Sequence, residues 1–352
     1  MFLNIQALRA IAALLVVLVH LEVLGAALGL QRSLFDLFAV GVDLFFVISG
    51  FIMVHTTSRR RVSPAAFMLG RLARIAPLYW TLTIAVFVVA LASPSLLGAT
   101  QGNWTALLRS LAFLPGERAD GTVRPILFVG WSLNLEMAFY LVFAGTLTVK
   151  DVTRRVFMGA GLLVLAVVLG MLMRPQLGPE LRFLTQPMLV EFAAGMILGW
   201  LHPHLPASRA AARLAAAASL PALAALLLAA RWPLPGGWPM SLLPACAVVL
   251  AALIAEKGGI VLTWQPLQVT GDASYALYLT HPFVTQGWTI AAERAGILQP
   301  GTAPLLMAAA LGSAVAAGIF IHRHLERPLD RLLQPMLTGT PKTPLLKSGV
   351  WR

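Results

Sequence analysis

The feature that most constrains this chain is the length of its apolar runs. Stretches of about 18–22 residues, built mainly from Ala, Leu, Val, Ile and Phe, recur from one end to the other. A run of that length crosses a hydrocarbon core of roughly 30 Å as a helix. Composition points the same way: 59% of residues are hydrophobic and 11% charged, where a soluble domain carries about 25% charged residues. The solvent for most of this protein is lipid. The expected fold class is all-α: a polytopic membrane helix bundle whose interior is not a water-driven core.

Apolar runs between polar or Pro/Gly-rich breaks give about ten transmembrane helices, near residues 5–28, 35–56, 75–93, 126–148, 156–173, 186–201, 212–230, 240–255, 272–291 and 303–322. A weaker patch near 105–114 reads as an interfacial helix in the longest loop. The first run has no basic segment before it and no small-residue cleavage site after it, so it is kept as a span rather than a removable signal. Of the 26 Lys and Arg, 18 fall on one side of this ten-span layout. By the positive-inside rule that side is the cytoplasm, and both termini lie there. The same asymmetry accounts for much of the net charge of +12, so a nucleic-acid partner is not expected. No internal repeat is evident, which argues against a transporter built from duplicated halves. The single cysteine, Cys246, excludes an internal disulfide and a Cys-cluster metal site. Residues 332–352, with their "TGTPKTPLLKSG" stretch, read as a disordered cytoplasmic tail.

Ionisable residues inside spans are costly and so are functional candidates. In "RAIAALLVVLVH" Arg9 and His20 are eleven residues apart, 20° beyond three full turns. They share one face of the first helix, about 16 Å apart along its axis. "GVDLFFVISGF" carries Asp43, with the small Ser49 and Gly50 deeper in the span allowing close helix approach. The basic segment "RRRVSPAAFMLGRLARIAPLYW" supplies Arg59–Arg61 for topological retention. It also supplies Arg71 and Arg74, which share a face at i, i+3 just before the third span and suit phosphate binding. In "WSLNLEMAFY", Ser132, Glu136 and Tyr140 form one stripe at i, i+4, i+8. An unpaired Glu136 would be unstable in lipid, so a basic partner is expected. In "GDASYALYLTHPF", Ser274, Tyr278 and His281 form another stripe, and Pro282 removes a backbone donor that a nearby group or wet cavity must replace. Glu326 and Arg327 in "HRHLERPLDR" read as helix-end salt-bridge partners. No helical metal-ligand spacing is present: His322 and His324 point apart, and His202 and His204 flank a proline.

The first five of these blocks, in this order, resemble the acyltransferase-3 family of multi-span membrane acyltransferases, over about residues 4–331. The resemblance implies an acyltransferase-3-like transmembrane domain over 1–331. It implies transfer of an acyl group, usually acetyl from acetyl-CoA, to a hydroxyl, often of a sugar at or beyond the outer face. His20 would be the essential histidine and Arg9 its motif partner. Glu136 matches the acid of the W-S-L-x-x-E block. Arg71 and Arg74 fall where the family's basic block is thought to serve the CoA phosphates. Where the family commonly has further arginines just before Arg71, this chain has Leu69 and Gly70. The short form, without an appended hydrolase-like domain, often modifies exopolysaccharide.

The chemistry expected is acyl transfer with no metal. His20 acts as general base on the acceptor hydroxyl, or as a transient acyl-histidine, with Glu136 or Asp43 orienting the imidazole. Arg9, Arg71 and Arg74 hold the CoA phosphates. Ser132, Tyr140, Ser274, Tyr278 and His281 line the substrate path. The expected partners are acyl-CoA, a carbohydrate or glycan acceptor and the lipid bilayer of the bacterial cytoplasmic (inner) membrane; a homodimer is allowed. The alternative is a proton-coupled membrane transporter, because intramembrane His, Glu and Asp also serve proton relays.

Overall fold

The computed structural model describes residues 2–59, 61–93, 102–118, 120–231 and 239–338. Arg60 of the basic segment and residues 339–352 of the expected tail lie outside the described residues. Among the described residues the fold is helical, and the one β pairing is an isolated bridge between Glu117 and Val123. In chain order the helices begin with α1 (Leu3–Val19), α2 (Glu22–Ala26), α3 (Arg32–Asp36), α4 (Gly41–Ser58), α5 (Pro64–Ala92) and α6 (Trp104–Leu111). They continue with α7 (Trp131–Thr146), α8 (Val152–Leu172), α9 (Pro179–Leu184), α10 (Leu189–Leu201) and α11 (Arg209–Ala229). The last are α12 (Leu242–Lys257), α13 (Gln265–Asp272), α14 (Ser274–Arg294), α15 (Ala303–Ile321) and α16 (Arg327–Thr338). Residues 332–338, expected in the tail, are thus the end of α16.

Seven segments are long and apolar enough to cross a membrane: Arg32–Ser58, Pro64–Ala92, Phe128–Thr146, Val152–Leu172, Pro179–His204, Arg209–Ala229 and Ala303–Leu333. The other three expected spans also form helices. α1 has 17 residues, α12 has 16, and α14 has 21 but carries the polar stripe. The helix expected near 105–114 forms as α6. Leucines that a water-soluble protein would bury stand about three-quarters exposed, among them Leu172, Leu214, Leu220, Leu243 and Leu305. So much exposed apolar surface is stable only against lipid.

The chain divides into two compact units. One comprises Met1–Phe51 and Leu201–His324; the other comprises Ile52–Trp200 and the segment following Leu325. In the first unit α1 packs against α12, α13, α14 and α15, α11 packs on α12, and α14 packs along α15. Polar side chains fix the start of α1. Its first N–H groups have no intrahelical acceptor, and the Glu256 carboxylate takes those of Leu3 (2.8 Å) and Asn4 (2.9 Å). Asn4 donates to the carbonyls of Ala252 and Ile260 and accepts the Leu262 N–H. Gln6 donates to the Gln268 carbonyl and to Asp272. Two glycines let backbone approach α1. A Cβ on Gly271 would lie 2.2 Å from the Gln6 carbonyl oxygen, and one on Gly41 would lie 2.4 Å from that of Ala12. The close approach of α4 to α1 is therefore at Gly41.

The first expected span, 5–28, is interrupted at His20. The His20 N–H turns to the Val17 carbonyl at i−3, and the imidazole Nδ1 lies 2.9 Å from the Val16 carbonyl oxygen instead. A side chain replaces the backbone donor, and α1 stops there. No Gly or Pro lies between Leu3 and Leu24 to signal the break.

In the second unit α5 packs against α6, α7 and α16, and α7 packs against α8. α5 starts earlier than expected because Ser63 caps it, accepting the Ala66 N–H at 3.2 Å, and Pro64 occupies its first turn. Arg71 and Arg74 therefore lie within the helix rather than before it. Aromatic stacking fills the interior, with Phe139 on Phe192 at 4.5 Å and Tyr79 on Phe113 at 4.9 Å. Arg109 of α6 pairs with Glu180 of α9 at 2.8 Å.

Replacing Glu256 tests the cap on α1. Glu256→Ala leaves two part-buried N–H groups without their acceptor and should cost about 1–3 kcal/mol. Glu256→Gln, which keeps one acceptor oxygen, should cost less. Thermal unfolding of the purified protein in detergent ranks the two.

Candidate active site

The first unit brings His20 and His281 together. His281 Nε2 lies 3.2 Å from His20 Nδ1, and the rings meet edge to face with centroids 4.7 Å apart and an interplanar angle of 64°. They come from positions 261 residues apart in sequence. The contact is set by the packing one turn below. Ala13 and Val17 of α1 form a buried cluster with Leu277 of α14 and Ala314 of α15, and Phe45 packs against it. Each ring is also tied to its own helix four residues back, His20 to Val16 and His281 to the Leu277 carbonyl at 3.1 Å. His281 is completely buried, and His20, at the end of α1, is half-buried.

Other expected residues of this unit fall into place around that pair. Tyr278 stands 6.0 Å from His281 and 6.0 Å from Phe45, ring centroid to centroid. Ser274 is completely buried at the start of α14, so the Ser274, Tyr278, His281 stripe lies on an inward face as the helical spacing requires. Arg9 is half-buried on α1, eleven residues from His20. Asp43, expected beside the imidazole, is instead held by the Ser241 hydroxyl, which donates to its carboxylate from the start of α12. No local signal in "GVDLFFVISGF" points to a serine 198 residues away.

The second unit joins the expected stripe on α7 to Arg71. The Tyr140 hydroxyl donates to Glu136 Oε1 at 2.6 Å, and the Arg71 guanidinium lies near the same phenol. Arg71 also lies over the Phe67 ring, 5.8 Å from its centroid, and the Phe67 ring meets Tyr140 edge-on. A basic side chain was expected near Glu136, and Arg71 reaches it through the tyrosine. Ser132 is buried and donates to the Val129 carbonyl at 3.4 Å.

Arg74 behaves differently from Arg71. Its Nη1 donates to Asp330 at 2.9 Å, and its Nη2 lies 3.4 Å from Glu326 Oε1, an ion pair without aligned hydrogen-bond geometry. Glu326 is 1% exposed. The two carboxylates, on a π-helical turn and on α16, pin the C-terminal helix to α5. Glu326 was expected in a helix-end salt bridge, and it makes one; that its partner is Arg74 of α5 depends on tertiary packing. Sequence reasoning also passed over Glu191, a fully buried carboxylate in α10, although it carries the signal that singles out Glu136: one acid in an apolar run.

A model of the acyltransferase-3 family, described as an acyltransferase domain, matches residues 2–323. The chain belongs to that family. Among curated relatives, this acyltransferase is 35% identical over 302 residues to the exopolysaccharide production protein ExoZ of Rhizobium meliloti (strain 1021), covering 84% of this chain and 91% of that relative. It is 28% identical over 333 residues to the acyltransferase MdmB of Streptomyces mycarofaciens, covering 84% of this chain and 81% of the relative. No solved structure matches it. Family and helices together make it a multi-pass membrane acyltransferase.

Removing Arg74 takes a guanidinium away from a carboxylate that is 1% exposed. Arg74→Ala should destabilise the protein by about 3–5 kcal/mol, as for one partner of a buried pair. Asp330→Ala, which leaves Arg74 its second carboxylate, should cost less. Differential scanning calorimetry of the two variants and the double variant measures the coupling.

Proposed function

We propose that this acyltransferase moves an acyl group, acetyl by preference, from cytoplasmic acyl-CoA to a hydroxyl of an extracytoplasmic glycan, and that it does so from the bacterial cytoplasmic membrane with both termini inside. The acyl-transfer class follows from the family, and a glycan acceptor is supported by the similarity to ExoZ, an exopolysaccharide production protein. The Lys and Arg distribution supports the orientation.

The observation that carries the mechanism is the state of His20. Its Nδ1 faces the Val16 carbonyl at 2.9 Å. A carbonyl only accepts, so Nδ1 bears the proton of the neutral ring and Nε2 bears the lone pair. Nε2 is then the basic atom. It takes the proton of the acceptor hydroxyl while the alkoxide oxygen bonds to the thioester carbonyl carbon. The C–S bond breaks, and the CoA thiolate leaves and is protonated. General base catalysis of this kind contributes about 10²–10⁴-fold.

Arg71 is assigned to the CoA phosphates. Forked guanidinium donors suit that role and stay charged. Arg74 takes part only where phosphate displaces Glu326 or Asp330. Glu136 and Tyr140 stand beside the Arg71 guanidinium, and Ser274 and Tyr278 are assigned to the substrate path beside His20. Asp43 acts through Ser241 on the packing of α4 and α12, not on the imidazole.

Two measurements test this reading. Purified protein given labelled acetyl-CoA and a glycan acceptor should form acylated product, and folded His20→Ala should lose at least about 10²-fold in turnover. Full turnover in that variant excludes His20 as the base. Arg71→Ala should raise the apparent KM for acetyl-CoA about tenfold, the loss of one charge-assisted contact. An unchanged KM removes Arg71 from the phosphate site.

A further inference from the structure

The two histidines are joined in a way that their separate roles do not require. We propose that His281 is a positioning residue for acyl transfer: its Nε2 accepts the His20 Nδ1–H and holds the His20 imidazole with the lone pair at Nε2. The proposal rests on the reading of His20 as the base.

The proton assignment follows from the acceptors around the pair. The Leu277 carbonyl, 3.1 Å from His281 Nδ1, can only accept, so that nitrogen carries a proton. Neutral His281 then has its lone pair on Nε2, which faces His20 Nδ1 at 3.2 Å. The Val16 carbonyl faces the same His20 nitrogen at 2.9 Å. Both neighbours of His20 Nδ1 are acceptors, and one proton shared between them satisfies both. The reverse arrangement, with protons on both Nε2 atoms, sets each Nδ1 lone pair against a carbonyl oxygen. A second proton on His281 would need an acceptor at its Nε2, and His20 Nδ1, already protonated toward Val16, is not one. One arrangement is self-consistent, and it makes His20 Nε2 the basic atom.

The division of labour follows from burial. Both ring nitrogens of His281 are committed, Nδ1 to the Leu277 carbonyl and Nε2 to His20, so neither is available to act on substrate. His20 is half-buried at a helix end. The rigidity of the orienting residue comes from its surroundings. Leu277, one turn before His281, is packed against Ala13 and Val17, and the Thr285 hydroxyl donates to the His281 carbonyl at 3.1 Å. Catalytic histidines commonly have their tautomer set by the partner of the second nitrogen. In this protein another imidazole shares that role with the Val16 carbonyl.

The test has two arms. In wild-type protein labelled with ¹⁵N-histidine and reconstituted in nanodiscs, the His20 resonances, identified by their loss in His20→Ala, should show the neutral Nδ1–H tautomer. An Nε2–H tautomer overturns the proposal whatever the variants do. In the second arm His281→Leu removes the acceptor, whereas His281→Gln places an amide oxygen where Nε2 stood. His281→Leu should lower kcat about 10–100-fold, the usual size of an orienting-partner loss, with the KM for acetyl-CoA unchanged within about twofold. His281→Gln should recover most of that loss. Wild-type kcat in His281→Leu, or equal losses in both variants, overturns the proposal. Failure of the underlying reading is distinct: His20→Ala keeps its turnover, while the tautomer measurement still reports on the pair.

Discussion

Lipid supplies no hydrogen bonds, and that constraint governs this protein at every level. Each backbone N–H and C=O in a span must find a partner inside the protein, so the described residues form helices. Apolar contact alone does not hold helices together where the solvent is equally apolar. Position is set by close backbone approach and by polar contacts. Gly41 and Gly271 supply the approach along α1, and Asn4, Gln6 and Glu256 supply the polar seam at its start.

The same rule explains why the charged residues are arranged in sets. Asp43 has Ser241. Glu136 has Tyr140, and Tyr140 has Arg71. Arg74 has Glu326 and Asp330. Left alone, each charge would cost several kcal/mol in a low-dielectric surround. Arg71 and Arg74 share a helix face and differ only by one turn, yet one reaches a tyrosine and the other two carboxylates. A paired guanidinium face read from spacing alone is therefore divided by its tertiary neighbours into a candidate ligand-holding group and a structural pin.

Much of the candidate site is legible without coordinates because helical periodicity is local. The Ser132, Glu136, Tyr140 spacing predicts an inward stripe on α7, and the Tyr140–Glu136 hydrogen bond follows directly from i, i+4 geometry. The Ser274, Tyr278, His281 spacing does the same for α14. The partners across helices are not legible. The break in α1 at His20 escapes a reading based on Gly and Pro, because a histidine side chain competing for the Val16 carbonyl leaves no compositional mark. The capping of α5 at Ser63 shifts Arg71 and Arg74 into a helix, although Ser63 followed by Pro64 is a local start signal that could have placed the boundary.

The sequence by itself determined the solvent, the helical class, the family and the inward faces, because each depends on composition or on spacing within one helix. Tertiary structure alone decided that His20 meets His281 rather than Asp43, and that Arg74 belongs to the C-terminal helix. Those contacts join residues up to 261 positions apart, and they depend on which helices pack together and at what height. Spacing along one helix carries no information about either.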